Sequence, residues 1–285
     1  GKHFAYVARG EESDVFYVID STSLKVVYAT NIKNMKARST EFVSNKHVLL
    51  RASDTLRTYG YKGRREHSGA FVYSLETGNI KLLLEGTRDI HPAQTGLGRI
   101  VGMDSEGKNV FMPAFAAGSN PRYNLYKVNL NTGRGRLHTK GNTNTIDWFM
   151  DGQGNVLARE DYNESKQLHT IRSKYSGQWQ TIYSLHTPVP KISVQSVAKD
   201  GRWLLFVDGN NNRNALFSMD LLDGEVFGPE YESKDADIDN LLVDINRQLQ
   251  AVIYSGFKPG YQFVEEKFNQ LFDRLSLSFP ASSVH

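Results

Sequence analysis

A chain of 285 residues without one cysteine must draw any chemistry from serine, histidine, carboxylates and cations. Disulfides, thiolate nucleophiles and Cys-ligated zinc are excluded outright. A serine nucleophile of the hydrolase type needs a G-x-S-x-G elbow, followed along the chain by an acid and a histidine. No such elbow occurs. "HSGAF" (His67–Phe71) and "YSGF" (Tyr254–Phe257) hold a Ser-Gly pair without the preceding glycine. The eight histidines, His3, His47, His67, His91, His138, His169, His186 and His285, include no two at metal-ligand spacing. They read as surface or turn residues. "DGNNNRN" from Asp208 has the look of a calcium loop, but Arg213 stands where the loop needs glycine and Met219 where it needs a bidentate glutamate. It reads as a turn between strands. "TGLGRIVG" from Thr95 lacks the third glycine of a dinucleotide fingerprint and reads as a loop. The expectation is no catalytic residue, no bound cofactor and no metal, so the chain alone should hydrolyse nothing.

Two clusters of charge remain. The segment Arg51–Gly69 carries Arg51, Arg57, Lys62, Arg64, Arg65 and His67 with Tyr59 and Tyr61. It reads as a solvated hairpin loop, or as a contact surface for an acidic partner: a catalytic domain or a substrate carboxylate. Glu265–Glu266 reads as first-turn helix charge. Asn163-Glu164-Ser165 is a glycosylation triplet of a kind common by chance.

The net charge of +3 does not amount to the clustered basic stripe that nucleic acid requires. No apolar run is long enough for a membrane span, and "GKHFAYVARG" has no signal-peptide core. A trimmed leader would leave no trace, so the compartment, cytoplasmic or periplasmic, is open.

These residues sit in a repeat. A polar turn followed by a β-rich strand recurs as "SNKHVLLRA", "SEGKNVFMPA", "DGQGNVLARE", "KDGRWLLFVD" and, in degenerate form, "INRQLQAVIY". Anchored on Val48, Val110, Val156, Leu204 and Gln250, the intervals are 62, 46, 48 and 46 residues, the first lengthened by the Arg51–Gly69 insertion. A second pattern, strand–tight turn–strand, recurs as "AFVYSLETGNIKLL", "LYKVNLNTGRGRL", "LHTIRSKYSGQWQTI" and "LFSMDLLDGEVFG". Gly78, Gly133, Gly177 and Gly224 fall in equivalent turns, where a positive φ suits glycine. Two hairpins per period make four strands per unit, the signature of a β-propeller blade. In "RWLLFVD" both faces are apolar, as a strand sandwiched between blades needs. "NLYKVNL" suits a place near a blade's outer edge. The units run 3–28, 38–84, 98–139, 145–185, 192–229 and 238–285, a single domain of about six blades.

The last unit departs from the pattern. In "YQFVEEKFNQLFDRLSLSFP", Val264, Phe268, Leu271, Phe272 and Leu275 form one apolar stripe at helical spacing, with Pro280 closing the segment. The periodicity predicts an amphipathic helix that docks by its Phe/Leu face.

The stretch "LLVDINRQLQAVIYSGFKPGYQFVEEKFNQLFDRLSLSFPASSVH" resembles the end of the N-terminal propeller in the bacterial acylaminoacyl-peptidase-like members of the prolyl oligopeptidase family of serine peptidases. There a strand of the D…G…V…Y type leads into a helix and an L…FP…V segment. "GKHFAYVA", "GAFVYSLETGNIKLLLEG" and "YNLYKVNLNTGRGRLHTKGNTNTIDWFMDGQGNVLARE" are similar to other blades of the same group, so the likeness spans the chain. It implies an incomplete seven-bladed ring, with the first unit short of a strand and the helix packed at the position of another strand in the last. It further implies a fragment, to be followed by a last blade and a catalytic α/β-hydrolase domain that would be its partner. Dipeptidyl-peptidase relatives grip a substrate amine with paired glutamates, but on a helix elsewhere in the propeller, so Glu265–Glu266 does not inherit that role. No catalytic residue carries over. The function implied is a cap that admits short peptides to the active site; the alternative is a free-standing propeller that binds protein or ligand.

Overall fold

A computed structural model describes residues 2–282 except Asn34 and Tyr59. It divides into two compact units, Gly1–Thr143 and Asn144–His285. Each holds three antiparallel sheets whose strands follow one another in sequence order.

In the first unit, sheet one has three strands, β1 (His3–Ala8), β2 (Asp14–Asp20) and β3 (Val26–Ile32). Sheet two comprises β4 (Lys36–Ser44), β5 (His47–Arg57), β6 (Arg64–Ser74) and β7 (Ile80–Leu82). Sheet three comprises β8 (Gly102–Met103), β9 (Asn109–Phe115), β10 (Tyr123–Asn129) and β11 (Gly135–Thr139). In the second unit, sheet four is β12 (Thr145–Met150), β13 (Val156–Asn163), β14 (Leu168–Ser173) and β15 (Gln180–His186). Sheet five is β16 (Ser193–Val197), β17 (Trp203–Asn210), β18 (Arg213–Asp220) and β19 (Val226–Tyr231). Sheet six has three strands, β20 (Ile238–Val243), β21 (Leu249–Tyr254) and β22 (Gly260–Phe263), and α1 (Glu266–Ser278) follows it.

The hairpin turns repeat one construction. Residue i accepts the amide of residue i+4, which sits at positive φ: Asp20 and Leu24, Ser74 and Gly78, Asn129 and Gly133, Asp220 and Gly224. The side-chain oxygen of residue i then accepts further amides, as Asp20 does from Thr22 and Ser23 and Asn129 from Asn131 and Thr132. Leu24, at φ 55°, occupies the position that glycine holds in the other three. "NNNRN" is also a turn, with Asn211 and Asn212 at φ 48° and 65° joining β17 to β18.

Sheets pack through both faces. Phe16, Val18 and Ile32 of sheet one meet Ala37, Val48 and Leu50 of sheet two, with Tyr28 stacked on Tyr73 at 4.0 Å. Phe149, Ala158 and Ile171 of sheet four meet Val194, Leu204 and Phe206 of sheet five. Leu205 and Leu216 on that sheet's other face meet Ile238, Leu241 and Val252 of sheet six. A buried Leu or Phe contributes about 1.5–3 kcal/mol, and these doubly covered strands explain why both faces read as apolar. β10 lies between β9 and β11 rather than at the edge, so Leu125, Tyr126 and Val128 are buried and β11 bears the exposed positions.

The helix is shorter than the periodicity predicts. Tyr261 and Phe263 pair with β21 as part of β22, because alternation and two aromatics favour the ladder there. Phe268 and Phe272 then fold back on them, with centroids of Phe263–Phe268 at 5.9 Å and Tyr261–Phe272 at 5.0 Å. Only that part of the stripe docks: no helix residue is fully buried, and Val264, Leu271 and Leu275 stay exposed. Among the described residues no helix is long and apolar enough to cross a membrane.

Candidate functional site

Most of the basic insertion is strand rather than loop, with Lys62 in the turn that joins β5 to β6. Strands β5 and β6 pair without interruption from His47↔Ser74 to Arg57↔Arg64. The neighbouring strand β4 stops at Lys36↔Ser53, and β7 reaches only Phe71–Tyr73. The rungs from Asp54↔His67 to Arg57↔Arg64 therefore stand clear as a two-stranded ribbon, about 13 Å long at 3.3 Å per residue. Isolated ribbons are marginal in water, and side chains brace this one. Ser53 Oγ donates to Glu66 at 2.6 Å, and the Arg38 guanidinium donates to the same carboxylate. Arg64 donates twice to Thr55 O, at 2.9 and 2.6 Å. Thr58 Oγ1 and His67 Nε2 lie 2.7 Å apart, and the Arg65 guanidinium lies 4.8 Å over the Tyr61 ring. Hydrogen bonds from Ser53 and Arg38 hold the Glu66 carboxyl below its usual range.

The cations divide into two groups. Arg51 turns inward, donating to Gly98 O at 3.1 Å and pairing with Glu41 at 2.5 Å, and so leaves the candidate surface. Arg57, Lys62, Arg64 and Arg65 are exposed, and none is ion-paired with a described carboxylate. Tyr59 lies outside the described residues. The result is a braced, projecting tip of four unneutralised cations beside one tyrosine, able to engage an acidic surface or a carboxylate.

The other sequence candidates are scattered. Lys267 takes Glu265 at 2.5 Å, while Glu266 receives Asn269 Nδ2 at 3.3 Å, so the two carboxylates are not aimed together. Ser68 donates to Thr95 O and Ser255 accepts the Asp237 amide, and neither hydroxyl meets a histidine. Asn163 Oδ1 is engaged by Ser165 Oγ and the Lys166 amide in a turn. Among the described residues no group of three or more His, Asp or Glu is placed to hold a metal ion.

Two histidines correct the surface reading. His47 is buried, with Nδ1 3.1 Å from Ser44 Oγ and Nε2 3.0 Å from Asn131 Oδ1. His169 is 0% exposed, with Nε2 2.7 Å from Glu160 Oε1 and Nδ1 without a hydrogen-bond partner. His285 lies outside the described residues.

His169 belongs to a buried polar network in the second unit that spacing did not reveal. On one face of sheet four, Glu160 stands opposite Asp147 and diagonal to His169. Arg247, from the turn between β20 and β21, reaches Asp147 Oδ2 at 2.9 Å and Trp148 O at 3.1 Å. It also donates to Gln195 O and Val194 O of sheet five, and its guanidinium lies 4.4 Å over Phe149. One side chain thus ties three sheets. Burial pushes the Glu160 carboxyl up, and nearby Asp147 adds to this, against the opposing pull of His169 and Arg247. On the other face Arg159 donates to Asp161 at 3.1 and 2.9 Å, and Thr145 Oγ1 donates to the same carboxylate at 2.7 Å. Two signals pointed here: three consecutive charges, "RED", inside a doubly buried strand, and an arginine where equivalent turns carry Gly107, Gly154 and Gly201 at positive φ. Arg247 holds that conformation at φ 59°.

In sequence the chain matches no family model and no curated protein. In structure it is similar to the β-propeller domain of the Trilobed protease from Pyrococcus furiosus, with TM-score 0.56 and 12% identity over 93% of this chain and 78% of that one. It is also similar to prolyl oligopeptidase B from Galerina marginata, with TM-score 0.55 and 12% identity over 91% of this chain and 40% of that one. For the Pyrococcus horikoshii acylaminoacyl peptidase the values are 0.52 and 13%, over 96% and 45%. At these identities the likeness establishes the fold: the chain is an all-β protein of the propeller class with one helix after its last sheet. It spans less than half the length of the two full peptidases.

Proposed function

We propose that this chain is the non-catalytic propeller of a prolyl-oligopeptidase-like serine peptidase, serving to cap the active site of a hydrolase module and to restrict entry to short peptides. One observation carries the reading. More than nine-tenths of the chain superposes on the propeller part of such peptidases while leaving over half of each full enzyme unmatched. The three-stranded first sheet and the helix after the sixth agree with the arrangement that the resemblance implies. The braced cationic tip of β5–β6 supplies a surface for the acidic partner. The physical role is steric: covering a hydrolytic site limits the size of what reaches it.

The test is to produce the chain joined to the polypeptide that its reading frame encodes downstream and to assay cleavage of a labelled hexapeptide and of a folded protein. The expected result is cleavage of the peptide alone, with deletion of residues 1–285 admitting the protein. A downstream frame that encodes no hydrolase, or equal cleavage of both substrates by the intact enzyme, overturns the proposal.

A further inference from the structure

The second unit contains a cleft of about 450 Å³ between sheets five and six, within the size range of small-molecule sites. Strand β19 creates it. Between the rungs Leu216↔Tyr231 and Ser218↔Phe227, the residues Gly228, Pro229 and Glu230 oppose Phe217 alone. The strand therefore arches away from β18. Gly228 is required at the crest: φ is 116°, and a Cβ there would stand 2.8 Å from the Glu230 amide. Trp203, Phe227 and Tyr231 line the cleft above the buried Leu205, Leu216 and Ser218. The Trp203 and Phe227 rings meet edge to face at 5.2 Å.

The cleft is almost wholly apolar apart from one charged group. Glu230 is turned back into it by Ser218 Oγ, which donates to Oε1 at 2.7 Å. No described cation pairs with Glu230. The nearby cation, Arg202, lies 5.1 Å over Trp203 but is committed to Asp220 at 3.0 and 2.6 Å, and that pairing holds the Asp220 carboxyl below its usual range. An aromatic slot with one unneutralised carboxylate favours a cation that carries an apolar body, because the ring faces and the carboxylate attract the same charge. We propose that this cleft binds a small hydrophobic ammonium ion, its apolar body against Trp203, Phe227 and Tyr231 and its charged head against Glu230. This site does not depend on the peptidase reading.

The test uses the ¹⁵N-labelled 285-residue chain, whose three tryptophans give three indole N–H signals, with Trp203 identified through W203F. Phenethylammonium, neutral 2-phenylethanol and anionic 3-phenylpropionate are titrated to about 10 mM, a range in which weak specific binding is measurable. The expected result is a saturable shift of the Trp203 signal with the ammonium, weaker by at least about tenfold with the alcohol and absent with the anion, since a charge-assisted hydrogen bond is worth more than a neutral one. E230Q should bring ammonium and alcohol to equal affinity, and S218A, which releases the carboxylate that Ser218 turns into the cleft, should weaken the preference. No saturable shift with the ammonium, equal binding of the alcohol by the parent chain, or an unchanged preference in E230Q each overturns the proposal. If E230Q fails to fold, the parent's preference and S218A decide it: a preference that S218A leaves undiminished counts against the site.

Discussion

A Cβ added to Gly224 would stand 2.0 Å from Ile182 O, at φ 85°, so two separate effects oppose any side chain there. The left-handed conformation costs about 1–2 kcal/mol, and displacing a neighbouring strand's carbonyl costs about 1–3 more. Gly133 repeats the situation in the first unit, with Leu82 O at 2.4 Å. In both turns the glycine lets one sheet's hairpin close against the preceding sheet. Leu24 occupies the same turn position at φ 55° with its side chain exposed, so there glycine would relieve strain at no packing cost. The expected outcome in urea unfolding is that Gly224→Ala destabilises by about 2–4 kcal/mol, while Leu24→Gly stabilises by about 0.5–1 kcal/mol, the strain relieved less the added chain entropy. Equal and small effects at both positions would show that the turn tolerates either residue. The turn glycines were legible because their chemistry is local: a backbone conformation demands a residue type, and the sequence displays it at regular intervals. Arg247 shows the limit of that logic. It breaks the glycine pattern, and only the assembled sheets reveal that its side chain spans Asp147, Val194 and Gln195.

The strand β13 carries Arg159, Glu160 and Asp161 into a sheet covered on both faces, and each charge must find its partner on a neighbouring strand or turn. Alternation sends Arg159 and Asp161 to one face, where they pair, and Glu160 to the other, where His169 and the Asp147–Arg247 pair await. Removing one member of such a group leaves a buried charge uncompensated. Burial raises the folded-state pKa of Glu160 above its unfolded value, which fixes the sign of its pH dependence. The folded chain holds this proton more tightly than the unfolded one, so the residue's contribution is largest below the unfolded pKa and declines as pH rises toward the folded one. Glu160→Gln keeps a hydrogen-bond partner for His169 Nε2 without the titration. Unfolding free energies of the parent and E160Q, measured from pH 4 to pH 8, should show the parent losing ground to the variant as pH rises. The opposite trend would mean that the histidine keeps the carboxyl ionised, against the burial argument. The strands themselves, the six-fold repetition and the helix were readable from periodicity, because burial on two faces leaves an apolar pattern. The partnering of buried charges was not, since it depends on register between strands that sequence spacing does not encode.

At the scale of the whole molecule, charge is weak on average and strong in one place. A net charge of +3 over 285 residues gives little long-range field, yet Arg57, Lys62, Arg64 and Arg65 gather on a ribbon that its own hydrogen bonds brace. The sequence showed the cations but not the ribbon, because the rungs from Asp54 to Arg57 mix polar and apolar residues without the alternation of a covered strand. Under the proposed function this tip meets an acidic face of the hydrolase module. The variant K62E/R64E/R65E moves the net charge from +3 to −3, three reversals of two units each. Arg64 also braces the ribbon through Thr55 O, so K62E/R65E, which keeps that bond and loses only the exposed contact of Arg65 with Tyr61, serves as the control for folding. Exposed ion pairs are worth about 0.2–1 kcal/mol each, and reversal adds repulsion to lost attraction. The dissociation constant between separately produced propeller and hydrolase modules should therefore rise about tenfold or more at 50 mM salt, with most of the difference gone at 0.5 M, where screening shortens to a few ångströms. The melting temperature of K62E/R65E should stay within a degree or two of the parent, because both side chains are exposed. Unchanged affinity at low salt in both variants would remove the ribbon from the interface and leave it a solvated hairpin.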